Sequence, residues 1–366
     1  MDPDFHPSPP TEPYFDTERD LWVLSRFADV SAALRERALY QATPEGEEIQ
    51  TGADEASHSV VFSQVRAEIA EVSSGGWREK MQAAGETVIR EATGKAQVDI
   101  MGDVTHPWSI ALLLSLSPTP QSSAKDVADI VASLLYEKEW QSGGSDSQTG
   151  NPALKRRARW SPEEAEERLD QMLESKEVTV SKAMFMAVSR TLPSFLAKSW
   201  LALLRNPDQW RQLQANPQLM PNAVEELLRY AGIVHTLQRK AHREVVVGGV
   251  RIPQGAKVAL KVMSANFDPV RFSEPYRLDM TRKPSGQFGL GAGLHACVGA
   301  LLVREAFTVL TPIFFASNPV LESGQPITWM GKKTLHWPLA VFVRFEDNAA
   351  NTAGTEALTS QPNPAA

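Results

Sequence analysis

Apolar positions along this chain fall mostly into long blocks with helical spacing, separated by short β-rich stretches. Leu21-Trp22-Val23-Leu24 has strand character, and Ser25 to Leu39 reads as a strand end followed by a short amphipathic helix. Two helices are predicted over 59–72 and 76–93, and Asp99 to Leu116 is apolar enough to be buried. Lys125 to Glu139 is helical again, and Ser161-Pro162-Glu163-Glu164 supplies an N-cap, a proline at N1 and early acids, a strong helix start. Thr179 to Leu204 is the longest helical candidate and stops at Asn206-Pro207. More helix follows Asp208, then short strands around Val245–Val247 and Val258–Val262. These blocks predict a mainly α fold with small β-sheets and no internal repeats.

Punctuation divides the chain. The proline-rich start, residues 1–20, reads as an extended arm, and residues 43–57 are polar and acidic. Residues 142–152 are too polar to pack and read as a mobile loop, while Lys155-Arg156-Arg157-Ala158-Arg159 reads as a solvated basic face. From Asp347 the chain is rich in Ala, Asn, Thr and Pro, so 347–366 is expected to be a disordered tail. Residues 21–346 form the single predicted domain.

Composition narrows the function. With 366 residues, 42% apolar and 22% charged, the chain can bury a sizeable core. A formal charge of −7 argues against nucleic acid as the main partner and against a polybasic membrane anchor. Met1 to Pro10 lacks the basic and apolar regions of a signal peptide, and no run of 18 apolar residues occurs, so a cytoplasmic protein without a membrane segment is expected. A single cysteine suits a reducing compartment.

That cysteine carries the candidate chemistry. It sits in Gly291-Ala292-Gly293-Leu294-His295-Ala296-Cys297-Val298-Gly299, ahead of the apolar helix that begins at Ala300. The glycines let backbone approach a flat cofactor closely, and the amides of a helix start favour a thiolate. Read alone, the stretch has three interpretations: a heme-iron ligand, a small buried thiol, or a glycine-rich phosphate cradle. Other segments bear on the choice. Glu226 and Arg229 stand at i, i+3 on one helix face. Between them and the cysteine lie Arg239-Lys240-Ala241, Gly249 to Gly255, and Ser264-Ala265-Asn266-Phe267-Asp268-Pro269.

In this order the segments resemble the cytochrome P450 superfamily, in its soluble bacterial type, over roughly residues 21–345. The resemblance implies a triangular, helix-rich prism enclosing heme b, iron protoporphyrin IX, with Cys297 on the iron. It implies propionate contacts from Arg239 and His295, and from His58 through a His-x-x-x-Arg pair. That arginine is missing, and Arg66, a turn further on, is the candidate substitute. Glu226 and Arg229 are then the structural pair that locks the loop before the ligand. Gly291 and Gly299 frame that loop, and Leu290 replaces the phenylalanine usual seven residues before the cysteine, a gap that Phe288 would fill.

The distal helix departs most from the family pattern. Ala187 to Pro193 falls where the family carries a small-Gly-x-acid-Thr sequence, with Thr191 matching the threonine, Val188 in place of glycine and Arg190 in place of the acid. Pro193, lacking an N–H, should free the Ser189 carbonyl and kink the helix. The resemblance implies a monooxygenase acting on a bulky, apolar, secondary-metabolite-like molecule, with electrons from a ferredoxin or flavodoxin system. An alternative has Arg190 anchor a substrate carboxylate for peroxide-driven or non-oxidative chemistry. A third is a non-catalytic partner protein.

Overall fold

A computed structural model describes residues 4–41, 63, 65–70, 76–115, 124–141, 159–175, 180–283, 286–330 and 334–346. His58, the 43–57 and 142–152 loops, the basic segment 155–158 and the tail 347–366 lie outside them. The described chain is mainly helical, with three small sheets among these residues.

The first sheet combines strands from the N-terminal part of the chain with strands from residues 237–260. Strands β1 (Tyr14–Asp16) and β2 (Leu21–Leu24) are antiparallel, β2 runs parallel to β8 (Lys257–Leu260), and β5 (Leu237–Ala241) joins β8 to β3 (Leu39–Gln41). The amphipathic helix α1 (Phe27–Arg35) covers it, burying Val30, Ala33 and Leu34. Within residues 4–20 Phe5 is the buried residue, 2% exposed with its ring stacked on Tyr230 at 5.4 Å.

Helix α2 (Trp77–Thr93) leads to β4 (Val98–Asp99), a π turn at Ile100–Thr105 and α3 (His106–Ser115). The apolar block read as buried is indeed buried, and Trp108 inside it donates from Nε1 to the Met81 carbonyl at 3.1 Å. Helix α4 (Ala124–Gln141) precedes α5 (Pro162–Glu174), which opens on the predicted N-cap. The Ser161 hydroxyl accepts the Glu164 N–H at 3.2 Å, and the Glu164 carboxylate accepts the Ser161 N–H at 2.9 Å.

The long helix predicted over 179–204 is observed as three consecutive pieces: α6 (Lys182–Met186), a π turn at Ala187–Thr191 and α7 (Leu192–Arg205). The expected kink therefore takes the form of a wide turn, closed by the Leu192 N–H on the Ala187 carbonyl. Pro193, at the start of α7, has no N–H to offer an α-helical bond across that turn. Leu192 to Leu203 are all buried, so α7 is a core helix on every face. Its Trp200 stacks on Phe314 of α11 (Ala300–Ala316) at 4.2 Å. Helices α8 (Pro207–Ala215) and α9 (Met220–Tyr230) pack beside this pair, and α10 (Val262–Asn266) packs against α9 and α1. Strands β6 (Val245–Val247) and β7 (Val250–Ile252) form a hairpin, and β9 (Pro319–Leu321) and β10 (Phe342–Phe345) close a sheet with β4.

Candidate functional site

The segment before α11 folds into a tight loop through its own backbone. Cys297 N–H donates to the Leu290 carbonyl at 2.8 Å, and Gly291 N–H to that of Phe288 at 2.9 Å. Gly291 and Gly293 have φ of +70° and +72°, and a Cβ on Gly293 would stand 2.3 Å from the Leu34 carbonyl oxygen at the end of α1. Only glycine permits that turn and that approach. The free surface of Cys297 faces an internal cavity of about 240 Å³. The dense protein around it pushes the thiol pKa up, opposed by the Gly299 N–H at the start of α11 and by the charge of Arg304.

The cavity lies between the loop and the core. Leu290, Gly291 and His295 line it beside Cys297, Arg239 and Leu237 enter from β5, and Thr191 and Phe195 from the distal helix. The far wall is Ile233, Val234 and Leu335. Most of this lining is apolar, and Arg239 is the exception that matters. It is 4% exposed, its guanidinium donates to the Gln238 carbonyl at 2.8 Å, and burial alone pulls its pKa down to about 10. Among the described residues no carboxylate lies within 4 Å of it. A buried cation beside a thiol in an apolar slot calls for an anion brought by a ligand. Heme, flat and apolar with anionic propionates, fits this set: Cys297 for the iron, Arg239 and His295 for the propionates.

Behind the loop, Glu226 and Arg229 form the expected pair. Both side chains are 1% exposed, and two bonds of 2.8 Å join them. Arg229 also donates to the carbonyls of Asn266 at 3.0 Å and Pro275 at 2.8 Å, and the Asn266 side chain accepts the Phe288 N–H at 2.8 Å. Arg282 completes the cluster, its Nε 3.0 Å from Glu226. Sequence reading missed it, since nothing local marks a residue 56 positions downstream as a third member.

A family profile described as Cytochrome P450 matches residues 200–314. The putative cytochrome P450 YjiB of Bacillus subtilis is 24% identical over 329 residues, 82% of this chain and 83% of that one. The 6-deoxyerythronolide B hydroxylase of Saccharopolyspora erythraea is 35% identical over 156 residues, 42% of this chain and 39% of its own length. Among solved structures, CYP109E1 from Bacillus megaterium in complex with testosterone superposes with a TM-score of 0.76 at 16% identity, covering 92% of this chain and 95% of that one. The chain is thus similar to cytochrome P450s, in fold over nearly its whole length and in sequence most clearly over residues 200–314.

Other features expected from the resemblance are placed unevenly. Thr191 lines the cavity, with its hydroxyl donating to the Ala187 carbonyl at 3.0 Å. Arg190 is not among the lining residues; its guanidinium stands 5.4 Å from the centre of the Trp337 ring. Arg66 is exposed on the helical stretch 65–70 and does not line the cavity either. Leu290 does, but Phe288 does not fill the gap beside it. That ring belongs to the core under the first sheet, stacked on Phe27 at 4.5 Å. No helix among the described residues is long and apolar enough to cross a membrane.

Proposed function

We propose that this chain is a cytochrome P450-type monooxygenase that oxidises a bulky apolar small molecule, drawing electrons from a ferredoxin or flavodoxin system. One observation carries the reading: Cys297 and Thr191 meet on a single, mostly apolar cavity. Heme b bound there supplies a site for oxygen activation and insertion of one oxygen atom into a C–H bond.

The side chains divide the remaining work. Cys297 would hold the metal, and Arg239 and His295 would neutralise the propionates. The Thr191 Oγ1, bonded to the Ala187 carbonyl, retains lone pairs with which to accept a proton donor inside the cavity. Phe195, Val234, Leu237 and Leu335 exclude water and present a surface for apolar substrate. Similarity to a hydroxylase and to a P450 crystallised with testosterone favours oxygen insertion into a molecule of this kind. The carboxylate-anchoring alternative gains nothing from the position of Arg190 over Trp337.

The decisive measurement is the optical spectrum of the reduced, CO-bound protein, followed by turnover with a ferredoxin and its reductase, compared with peroxide. A thiolate-type spectrum and reductase-driven product are expected. Product with peroxide alone would overturn the electron-transfer part, and a spectrum unchanged in Cys297→Ser would overturn the site.

A further inference from the structure

The buried run of α7, Leu192 to Leu203, contains one cation among apolar or hydroxyl-bearing residues. Lys198 is 0% exposed, as are Ala197, Trp200 and Leu201 around it. Taking an ammonium from water costs several kcal/mol unless good acceptors replace the hydration shell. A methionine or leucine would fill the same space without that cost, so the groups that receive the ammonium locate its use.

Those groups sit next in sequence to residues of the cavity wall. Lys198 Nζ donates to the Gly232 carbonyl at 3.1 Å and to the His336 carbonyl at 3.0 Å. Gly232 directly precedes Ile233 and Val234, and His336 directly follows Leu335, so each acceptor flanks residues that line the cavity. The two segments are already stitched together: His235 N–H donates to the Thr334 carbonyl and His336 N–H to the Ile233 carbonyl, both at 2.8 Å. Val234 and Leu335 pair across the stitch. Lys198 therefore fastens the stitched pair to α7 at both edges.

Its position along the helix completes the geometry. Thr191, Phe195 and Lys198 stand at i, i+4 and i+7, one stripe of an α-helix. The first two line the cavity, and the third bonds the carbonyls next to Ile233 and Leu335, which also line it. The imidazole of His336 backs the contact, with Nδ1 3.4 Å from Nζ and its ring stacked on Trp329 at 4.6 Å.

We propose that Lys198 is a positioning residue that sets the gap between the distal helix and the Val234/Leu335 wall, and so the bulk of side group the cavity admits beyond the iron. The proposal rests on the heme reading above, and the test separates the two.

Heme-loaded wild type and Lys198→Met are titrated optically with imidazole, which needs little beyond the iron, and with 4-phenylimidazole, whose ring must fit against the wall. In Lys198→Met the imidazole dissociation constant should stay within about two-fold while that for 4-phenylimidazole rises about ten-fold, because loss of a fixed wall removes preorganised contacts. Lys198→Gln, with an amide still able to reach one carbonyl, should fall between. It decides the question if the methionine variant takes up no heme. Equal changes for both probes, or none, would overturn the proposal, as would failure of both variants to bind heme, which would assign Lys198 to the fold alone. A wild-type Soret band that imidazole does not move would instead sink the heme reading, and this proposal with it.

Discussion

Arg239 stands out among single residues because it is expensive where it is. Burial draws its pKa down, and what the surrounding chain shows it is one backbone carbonyl rather than a carboxylate. Replacing it should therefore separate two properties that usually move together. Arg239→Leu is expected to stabilise the heme-free chain by about 1–3 kcal/mol, by removing an uncompensated buried cation. It should also weaken heme binding by about 2–5 kcal/mol, by leaving a propionate unpaired. Denaturation of the apoprotein and heme transfer to excess apomyoglobin measure the two. If both fall together, Arg239 is a structural residue and not a propionate partner. At this scale the sequence was most readable where a residue is singular, as with Cys297 in its glycine loop. It was least readable for Arg190. A π turn inserts an extra residue into the helical repeat, which rotates everything after it by about 100°, so no count along the chain fixes which of Arg190 and Thr191 faces the cavity.

Between elements, the Glu226/Arg229/Arg282 cluster holds α9 to the 266–282 segment, and through Asn266 to the ligand loop. Glu226 and Arg229 carry their charges in the interior, so removing Glu226 strands Arg229 there. Glu226→Ala should cost about 3–5 kcal/mol in denaturant unfolding, with heme lost in the same transition. A variant that unfolds earlier yet keeps heme until the end would show that the cluster does not support the loop. The i, i+3 spacing made this pair visible in the sequence. Arg282 was not visible, because an irregular segment has no period to point along.

Across the whole molecule, Asp99 joins distant parts of the chain. Its Oδ1 accepts N–H groups from Met101 at 3.1 Å and from Val341 at 3.0 Å, the latter 242 residues away. Burial, aided by the charge of Asp103, pushes its pKa up to about 6 against the lowering effect of those bonds. The folded chain thus holds this proton more tightly than the unfolded one. The resulting penalty is absent below the ordinary value of 3.8 and complete above about 6. Asp99→Asn keeps an acceptor for both N–H groups and removes the titration. Its stability relative to wild type should rise by up to about 3 kcal/mol between pH 4 and pH 7, and parallel pH profiles would refute this. The block pattern and the caps by themselves determined the helix-rich class, and the i, i+3 spacing the Glu226/Arg229 pair, because periodicity and local hydrogen bonding act over a few residues. Only the tertiary structure decided that Phe288 packs on Phe27, that Arg190 lies over Trp337 and that Lys198 joins two wall segments. Those outcomes depend on which surfaces meet after the chain has closed on itself, and loop closure between remote segments leaves no local trace in composition or spacing.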